Sequence, residues 1–395
     1  MSKIDWLQQA NNLADDIVRW RRDFHQHPEL AFKETRTARI VAEELQALGM
    51  EVQTGVGQTG VVAVLEGAAN GPTVLVRADM DALPISTEIT TEYASQTPGV
   101  MHACGHDGHT AVVLGVARMF AAHRDQMKGR IKFVFQPAEE IGSGARAMKA
   151  DGVLQDPRPD VSLGLHLWND MPVGELGVAS GPVMAGSGDF EITITGKGGH
   201  GAAPHMAIDP VVCAAQIILG FQTIVARTLD PLDTAVLSVT RLHTGTANNI
   251  IPQTAVMGGT FRFFKHSVAE TIQQRMREIV EGVCAAMNCT AQIQIKRTTE
   301  PVANADEVAA PIRHVFESLG VSPEHFHNYR TMGSEDVGEF MSDIPGMFFF
   351  VGSANPERGL NYPHHHPRFD FDEAALPLSA GLLAAAVAHY VMDEA

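Results

Sequence analysis

Residues 101–109 read MHACGHDGH and bring a thiol, three imidazoles and a carboxylate into one short stretch. Cys104 and His106 lie two apart, with His102, Asp107 and His109 in the same turn, where a loop opens a helix. Thiolate, imidazole and carboxylate together suit a borderline-soft dication such as zinc, cobalt, nickel or manganese. A polar helix start with a free cysteine is the plain alternative for so short a cluster. Glu139 and Glu140 follow an apolar run and Pro137. Adjacent glutamates are ordinarily solvated surface. Past the end of a buried strand, however, they point in different directions, so one can bind metal while the other handles a proton. His166, in GLHLW, is either a satisfied core histidine or a further ligand. Asp81, in VRADMDALP, either caps a turn or orients a ligating imidazole from behind. His364, His365 and His366 stand between Pro363 and Pro367. Three consecutive histidines cannot all face one ion, but a stiff proline-flanked loop is a good platform for one ligand. Farther along, GKGGHGAAPH carries His200 and His205, Asn249 sits in NNIIP, and Arg262 in TFRFF. These read as turn and strand residues, although a guanidinium is suited to gripping a carboxylate with two prongs.

The elements that must hold these residues follow from periodicity. Residues 37–48 read as a helix, with Ile40, Val41, Leu45 and Leu48 on one side and Gly49 as its stop. Runs at 61–65, 73–77, 131–136 and 161–167 are expected strands, and 108–123 and 143–150 expected helices. Such alternation implies a largely parallel sheet with covered faces, in which function collects at the carboxyl ends of strands. Asp79, Asp81, Glu139, Glu140 and His166 fall at or just past such ends. Beyond residue 183 the pattern becomes β-α-β-β-α-β, a ferredoxin-like unit. Mixed α/β returns at 307–319 and 347–351, and an apolar helix closes the chain. The expected architecture is an α/β catalytic domain in two pieces, 1–182 and 298–395, with a smaller α+β domain inserted over 183–297.

The 395 residues are 45% hydrophobic and 19% charged, which is a globular profile. Twenty-nine basic against 46 acidic side chains give a net charge of −17. That balance argues against nucleic acid or an anionic membrane as partner, since both need clustered cations. No basic-then-apolar leader opens the chain, and residues 376–392 are too short to span a membrane comfortably. A cytoplasmic location is the expectation. Cys104, Cys213, Cys284 and Cys289 make no dense disulfide framework in a chain of this size.

Together RADMDALP, ACGHDGHT, FQPAEE, GLHLW, GKGGHGA and ANNIIP, in this order, resemble the M20 metallopeptidase family. The likeness is to its amidohydrolase branch of hippurate, N-acyl-amino-acid and auxin-conjugate hydrolases, and it runs from RRDFHQHPEL to HHPRFDFDE. The resemblance implies two divalent ions (zinc, manganese, cobalt or nickel) held by Cys104, His106, Glu140, His166 and His365, with Cys104 shared between them. His365 is selected because the branch places that ligand two residues before the proline of an H-x-P pattern. Glu139 falls on the general base and Asp81 on the aspartate supporting the metal site. His200, Asn249 and Arg262 match positions that reach the substrate, His200 from a partner subunit of a homodimer or larger assembly. The implied reaction is hydrolysis of the amide of an N-acyl-amino acid to a carboxylic acid and a free amino acid. A dipeptidase or aminopeptidase of the same build is the near alternative, and a non-catalytic metal-binding scaffold the alternative of another class. An acyl-enzyme route is disfavoured, because a bridging Cys104 would be occupied and no serine sits in a nucleophile elbow.

Overall fold

The structure is a computed structural model and describes residues 4–393. The chain divides into two compact units. The first comprises the chain up to Val183, Val302–Arg330 and the chain from Asp336 onward; the second comprises Met184–Pro301 and Thr331–Glu335. The short return of Thr331–Glu335 to the second unit has no counterpart in the boundaries expected near residues 183 and 297.

The first unit is built on an eight-stranded sheet. Its spatial order is Glu51–Val56, Gly60–Glu66, Lys128–Gln136, Ala69–Asp79, Val161–Pro172, Gly346–Ala354, Leu176–Gly177 and Phe326–His327. The four central strands, Lys128–Gln136 to Gly346–Ala354, are mutually parallel. Their runs of Ile131, Phe133, Val134 and Phe135, or Met347 to Val351, are buried without alternation, as strands covered on both faces must be. Helix His106–Ala122 packs on the sheet through Val112, Val116 and Phe120. Helix Ala375–Val391 is apolar on every side and accordingly buried, the fate of such a helix in a globular core. One strand runs further than its sequence suggests. Val161–Pro172 stays paired with Gly346–Ala354 to its end, but its pairing with Ala69–Asp79 stops at Gly164. His166 is therefore mid-strand, not terminal, and still lies just beyond the carboxyl end of a neighbour.

The second unit is a four-stranded antiparallel sheet in the order Ala235–Thr244, Thr254–Phe263, Gly186–Thr195, Thr290–Thr299. With helices Pro210–Thr223 and His266–Ala286 this is the ferredoxin-like arrangement. Phe190, Ile192 and Ile194 alternate inward and share one apolar core with Cys213, Ile217 and Phe221 of the first helix and Ile272, Met276 and Val280 of the second. Asp209 caps the first helix by accepting the Val211 N–H at 2.8 Å. Among the described residues, Pro210–Thr228 is the one helix long and apolar enough to cross a membrane. Its inner face is committed to this core, while Val211, Val212, Leu219 and Val225 stand exposed.

Candidate active site

Asp81 organises the first unit's cluster. Strand Lys128–Gln136 ends at Pro137, and Ala138 then adopts a left-handed φ of 54°, a conformation an alanine holds only when its surroundings impose it. The sharp turn aims two backbone N–H groups at one carboxylate. Glu139 N–H donates to Asp81 Oδ1 and Glu140 N–H to Asp81 Oδ2, both at 3.1 Å. The Asp81 carbonyl faces His106 Nδ1 at 2.9 Å. Since a carbonyl only accepts, Nδ1 carries a proton, and in the neutral ring that a metal would require His106 Nε2 presents its lone pair. The same logic applies to His166, whose Nδ1 donates to the Leu167 carbonyl at 2.6 Å, leaving Nε2 3.6 Å from Cys104 Sγ. Gly105, at φ 88°, lets the chain turn from Cys104 into the helix that opens with His106.

His365 comes from far along the sequence. It too is left-handed, at φ 65°, and its N–H donates to the Ala103 carbonyl at 2.8 Å, which lashes the histidine loop to the Cys104 segment. His365 Nε2 lies 3.3 Å from Glu140 Oε2. The other two histidines turn elsewhere. His364 packs against Trp168 and accepts the Asn169 N–H, and His366 stacks on Tyr362.

Two of the groups of potential ligands share Cys104, one with His106 and His166 and one with Glu140 and His365; others join His106 to Glu139 and Glu140, Asp79 to His106 and His109, and Glu139 to Glu335 and Asp336. Within each group the donor atoms all lie within 4.8 Å of one another. The thiol is common to the first two. Glu139 stands beside them, with its carboxylate 3.9 Å from His106 Nε2. The donor set fits soft dications. His106 Nε2 and Glu140 Oε1 are both buried without a hydrogen-bond partner, which a bound ion would supply. The electrostatics agree. Burial, reinforced by Asp81 and Asp79, pushes Glu140 up to about 7. Burial disfavours a charged His106 ring, but Asp79 and Asp81 outweigh it and hold the ring well above the ordinary imidazole value. Burial and then the Glu140 carboxylate drive the Cys104 thiol up. A cluster so rich in carboxylates has an unmet demand for positive charge, and a dication there would ionise thiol and carboxyl alike.

His109 belongs to the scaffold, although it lies in the same motif. Its Nδ1 bonds Asp79 Oδ1 at 2.7 Å and its Nε2 accepts the Leu167 N–H at 2.9 Å, so both ring nitrogens are committed. Asp79 is shared with Arg77 at 2.7 Å. Position at a strand end marks Asp79 in the sequence, but nothing there separates its supporting part from a ligand's.

In the second unit, His200 and Asn249 are brought together. Residues Gly199–His200 pair with Ile250–Ile251, and the Gly201 N–H donates to the Asn249 carbonyl at 2.8 Å. His200 is exposed and its Nδ1 accepts the Ala202 N–H at 3.0 Å, so the neutral ring carries its proton on Nε2. Arg262 is half-buried and makes no ion pair with a carboxylate among the described residues. Its guanidinium bonds Thr260 Oγ1 and the Phe261 carbonyl, and burial lowers its pKa. Arg262 and the turn before His200 lie toward opposite ends of one strand pair. Arg262 is opposite Ser187, whereas Thr254 is opposite Thr195, next to the turn that leads to His200. Eight residues of extended strand between them span roughly 26 Å.

Comparison with known proteins agrees with this architecture. Residues 75–389 match the model of peptidase family M20/M25/M40. The chain is 40% identical over 375 residues to the thermostable carboxypeptidase 2 of Saccharolobus solfataricus, covering 94% of each. It is 44% identical over 308 residues to an N-acyl-L-amino acid amidohydrolase of Geobacillus stearothermophilus, covering 78% of this chain and 83% of that one. Among solved structures it resembles the Bacillus subtilis YxeP protein, described as a dinuclear metal-binding peptidase of the M20 family. That match has 35% identity and a TM-score of 0.83, and covers 95% of this chain and 98% of the other. The chain belongs to peptidase family M20/M25/M40 and is a hydrolase of its amidohydrolase branch.

Proposed function

We propose that the protein hydrolyses the amide bond of N-acyl-amino acids, using two divalent ions held by Cys104, His106, Glu140, His166 and His365. The observation that carries this reading is the pair of donor groups sharing Cys104 Sγ, with the orphaned His106 Nε2 and Glu140 Oε1 facing one another at 3.9 Å. Ions bound there would polarise the scissile carbonyl and lower the pKa of water toward neutrality. The remaining chemistry belongs to side chains. Glu139, held by Asp81 through its own backbone, takes the proton of the attacking water and returns it to the departing amine. His200, with its proton on Nε2, donates to the oxygen that becomes negative on the acyl carbon. Arg262 binds the carboxylate of the amino-acid half, and Asn249 fixes the turn that carries His200.

The strand register leaves roughly 26 Å of backbone between Arg262 and Thr254 beside the His200 turn, a span that favours the two groups reaching one small substrate from different chains. In keeping with the family resemblance, His200 is assigned to a partner subunit's site, in a dimer joined through the second unit. A carboxypeptidase reading has its own support in the Saccharolobus relative. Both reactions release an amino acid with a free carboxylate, and they differ in what lies on the acyl side.

A hydrolysis panel decides between them: N-acetyl, N-benzoyl and indoleacetyl amino acids beside N-blocked dipeptides, after reconstitution with zinc, manganese, cobalt or nickel. Release of amino acid from the simple acyl compounds, abolished by prolonged chelation and restored by metal, is expected. Turnover confined to blocked peptides would favour the carboxypeptidase. Full activity in protein shown by elemental analysis to be metal-free would overturn the mechanism.

A further inference from the structure

Arg21 lies on helix Ala14–Gln26, about eighty residues before the first proposed ligand, and is completely buried. Each guanidinium nitrogen bonds a different carboxylate. Nε reaches Asp107 Oδ2 at 2.9 Å, Nη2 reaches Asp370 Oδ1 at 2.6 Å, and Nη1 reaches Glu373 Oε1 at 3.1 Å. Its Cζ also lies over two aromatic rings, 4.3 Å from the centre of Phe371 and 4.7 Å from that of Tyr93. The partners are not scattered. Asp107 follows His106 directly, and Asp370 to Glu373 begin five residues after His365. Further bonds stiffen each end. Asp107 Oδ2 also meets His25 Nδ1 at 2.8 Å, Asp370 Oδ2 accepts the Tyr93 hydroxyl at 2.8 Å, and Glu373 is shared with Arg22.

We infer that Arg21 is a positioning residue for the metal centre: its planar fork sets the distance between the segment carrying Cys104 and His106 and the loop carrying His365. This inference rests on the ligand assignment proposed above. The two segments are more than 250 residues apart in sequence. Their direct tether is the His365 N–H to the Ala103 carbonyl, one backbone hydrogen bond. The helix that opens with His106 has its own ladder and the His106–Asp81 bond, and the histidine loop is tied by the Glu88 N–H to the Pro367 carbonyl and by Asn169 to the Tyr362 and Asp370 carbonyls, while Arg21 is the side chain that bonds both segments at once. A lysine cannot replace it, because one ammonium nitrogen is a point donor and cannot hold three carboxylates at fixed separations. Removing the charge altogether would leave three carboxylates facing one another in a buried space, which tests folding instead of positioning.

The experiment is a cobalt(II) titration of wild type and Arg21→Lys, followed by the thiolate-to-cobalt charge-transfer band, the visible bands and elemental analysis, with circular dichroism and thermal unfolding alongside. Wild type should take two equivalents with the thiolate band. Arg21→Lys, folded, should keep the first equivalent and its thiolate band but bind the second, which needs His365, about 10–100-fold more weakly. A folded Arg21→Lys protein that binds both equivalents like wild type, with only a lower Tm, would overturn the positioning role and leave the ligand assignment standing. Fewer than two equivalents in wild type, or no thiolate band, would overturn the ligand assignment and this inference with it. Should Arg21→Lys not fold, Asp370→Asn and Glu373→Gln remove charge on the loop side at constant size. Weakened second binding in these variants supports the inference, and unchanged binding overturns it.

Discussion

Glu139 and Glu140 are adjacent carboxylates with different surroundings, and the difference gives each a separate expectation. Glu140 lies within reach of Cys104 and His365 and has a buried oxygen without a partner, whereas Glu139 is outside both groups that share Cys104, although it lies within reach of His106 and Glu140. Glu139→Gln should therefore leave metal content unchanged and lower kcat by ~10²–10⁴-fold. Glu140→Gln should lower metal affinity instead. Near-normal turnover of Glu139→Gln would mean that the two roles must be exchanged or given up. Arg262 offers a second test at this scale. Arg262→Ala should impair acyl-amino acids far more than the corresponding carboxamides, because only the former present a carboxylate to the guanidinium. Equal impairment of both would assign Arg262 to folding. The gathering of Asp81, Cys104, His106, Glu139, Glu140, His166 and His365 into one place was legible through the family resemblance, because each sits in a short motif that the resemblance covers. The part of Arg21 was not. Its partners are 86, 349 and 352 residues away, and an arginine in an amphipathic helix carries no local sign of burial.

Strand and helix order were legible for a different reason. The buried parallel strands are near-continuous apolar runs, and the ferredoxin-like strands alternate, so two periodicities separate the two units. Elements lacking a period were not legible. Strand Glu51–Val56 is polar and mostly exposed along its length, and Leu176–Gly177 and Phe326–His327 are two residues each. These last two are held partly by side chains. Glu175 bonds His325 Nδ1 at 2.9 Å and also His327 Nε2, clasping the edge strand Phe326–His327 to the segment it pairs with. The hydrogen bond to Glu175 holds His325 above its usual pKa, with Glu324 adding to the effect at 3.9 Å. The bonds to His325 and then His327 hold Glu175 below its usual value. The histidine's contribution is complete below its ordinary pKa and is lost as pH rises through its folded value. The glutamate's is complete above its ordinary pKa and is lost as pH falls through its folded value. The two coincide between roughly pH 4.3 and 6.5. Glu175→Gln should therefore lower Tm slightly at about pH 5.5 and less, or not at all, above pH 8. The same loss at both values would show that the clasp acts through shape and not through charge.

At the scale of the whole molecule, the second unit leaves surfaces uncovered that a monomer would have to expose. Strand Ala235–Thr244 is a sheet edge ten residues long, and Val212, Leu219, Leu242 and Ile250 are each at least 40% exposed. Long edges and apolar helix faces favour symmetric pairing, in which one patch covers its own copy. If His200 and Arg262 both serve one small substrate, as proposed, the span of strand between them points the same way. The test mixes two inactive variants, His200→Ala and Glu139→Gln. In a mixed dimer one site combines the intact Glu139 of one chain with the intact His200 of the other, while the second site lacks both. If each variant is nearly inactive alone, co-expression with separable tags should recover up to about half the wild-type turnover per mixed dimer, one competent site in two. Verified mixed dimers that stay as inactive as their parents would show that His200 acts within its own chain or takes no part. A monomer by sedimentation, fully active at the same concentration, would remove the need for a partner altogether.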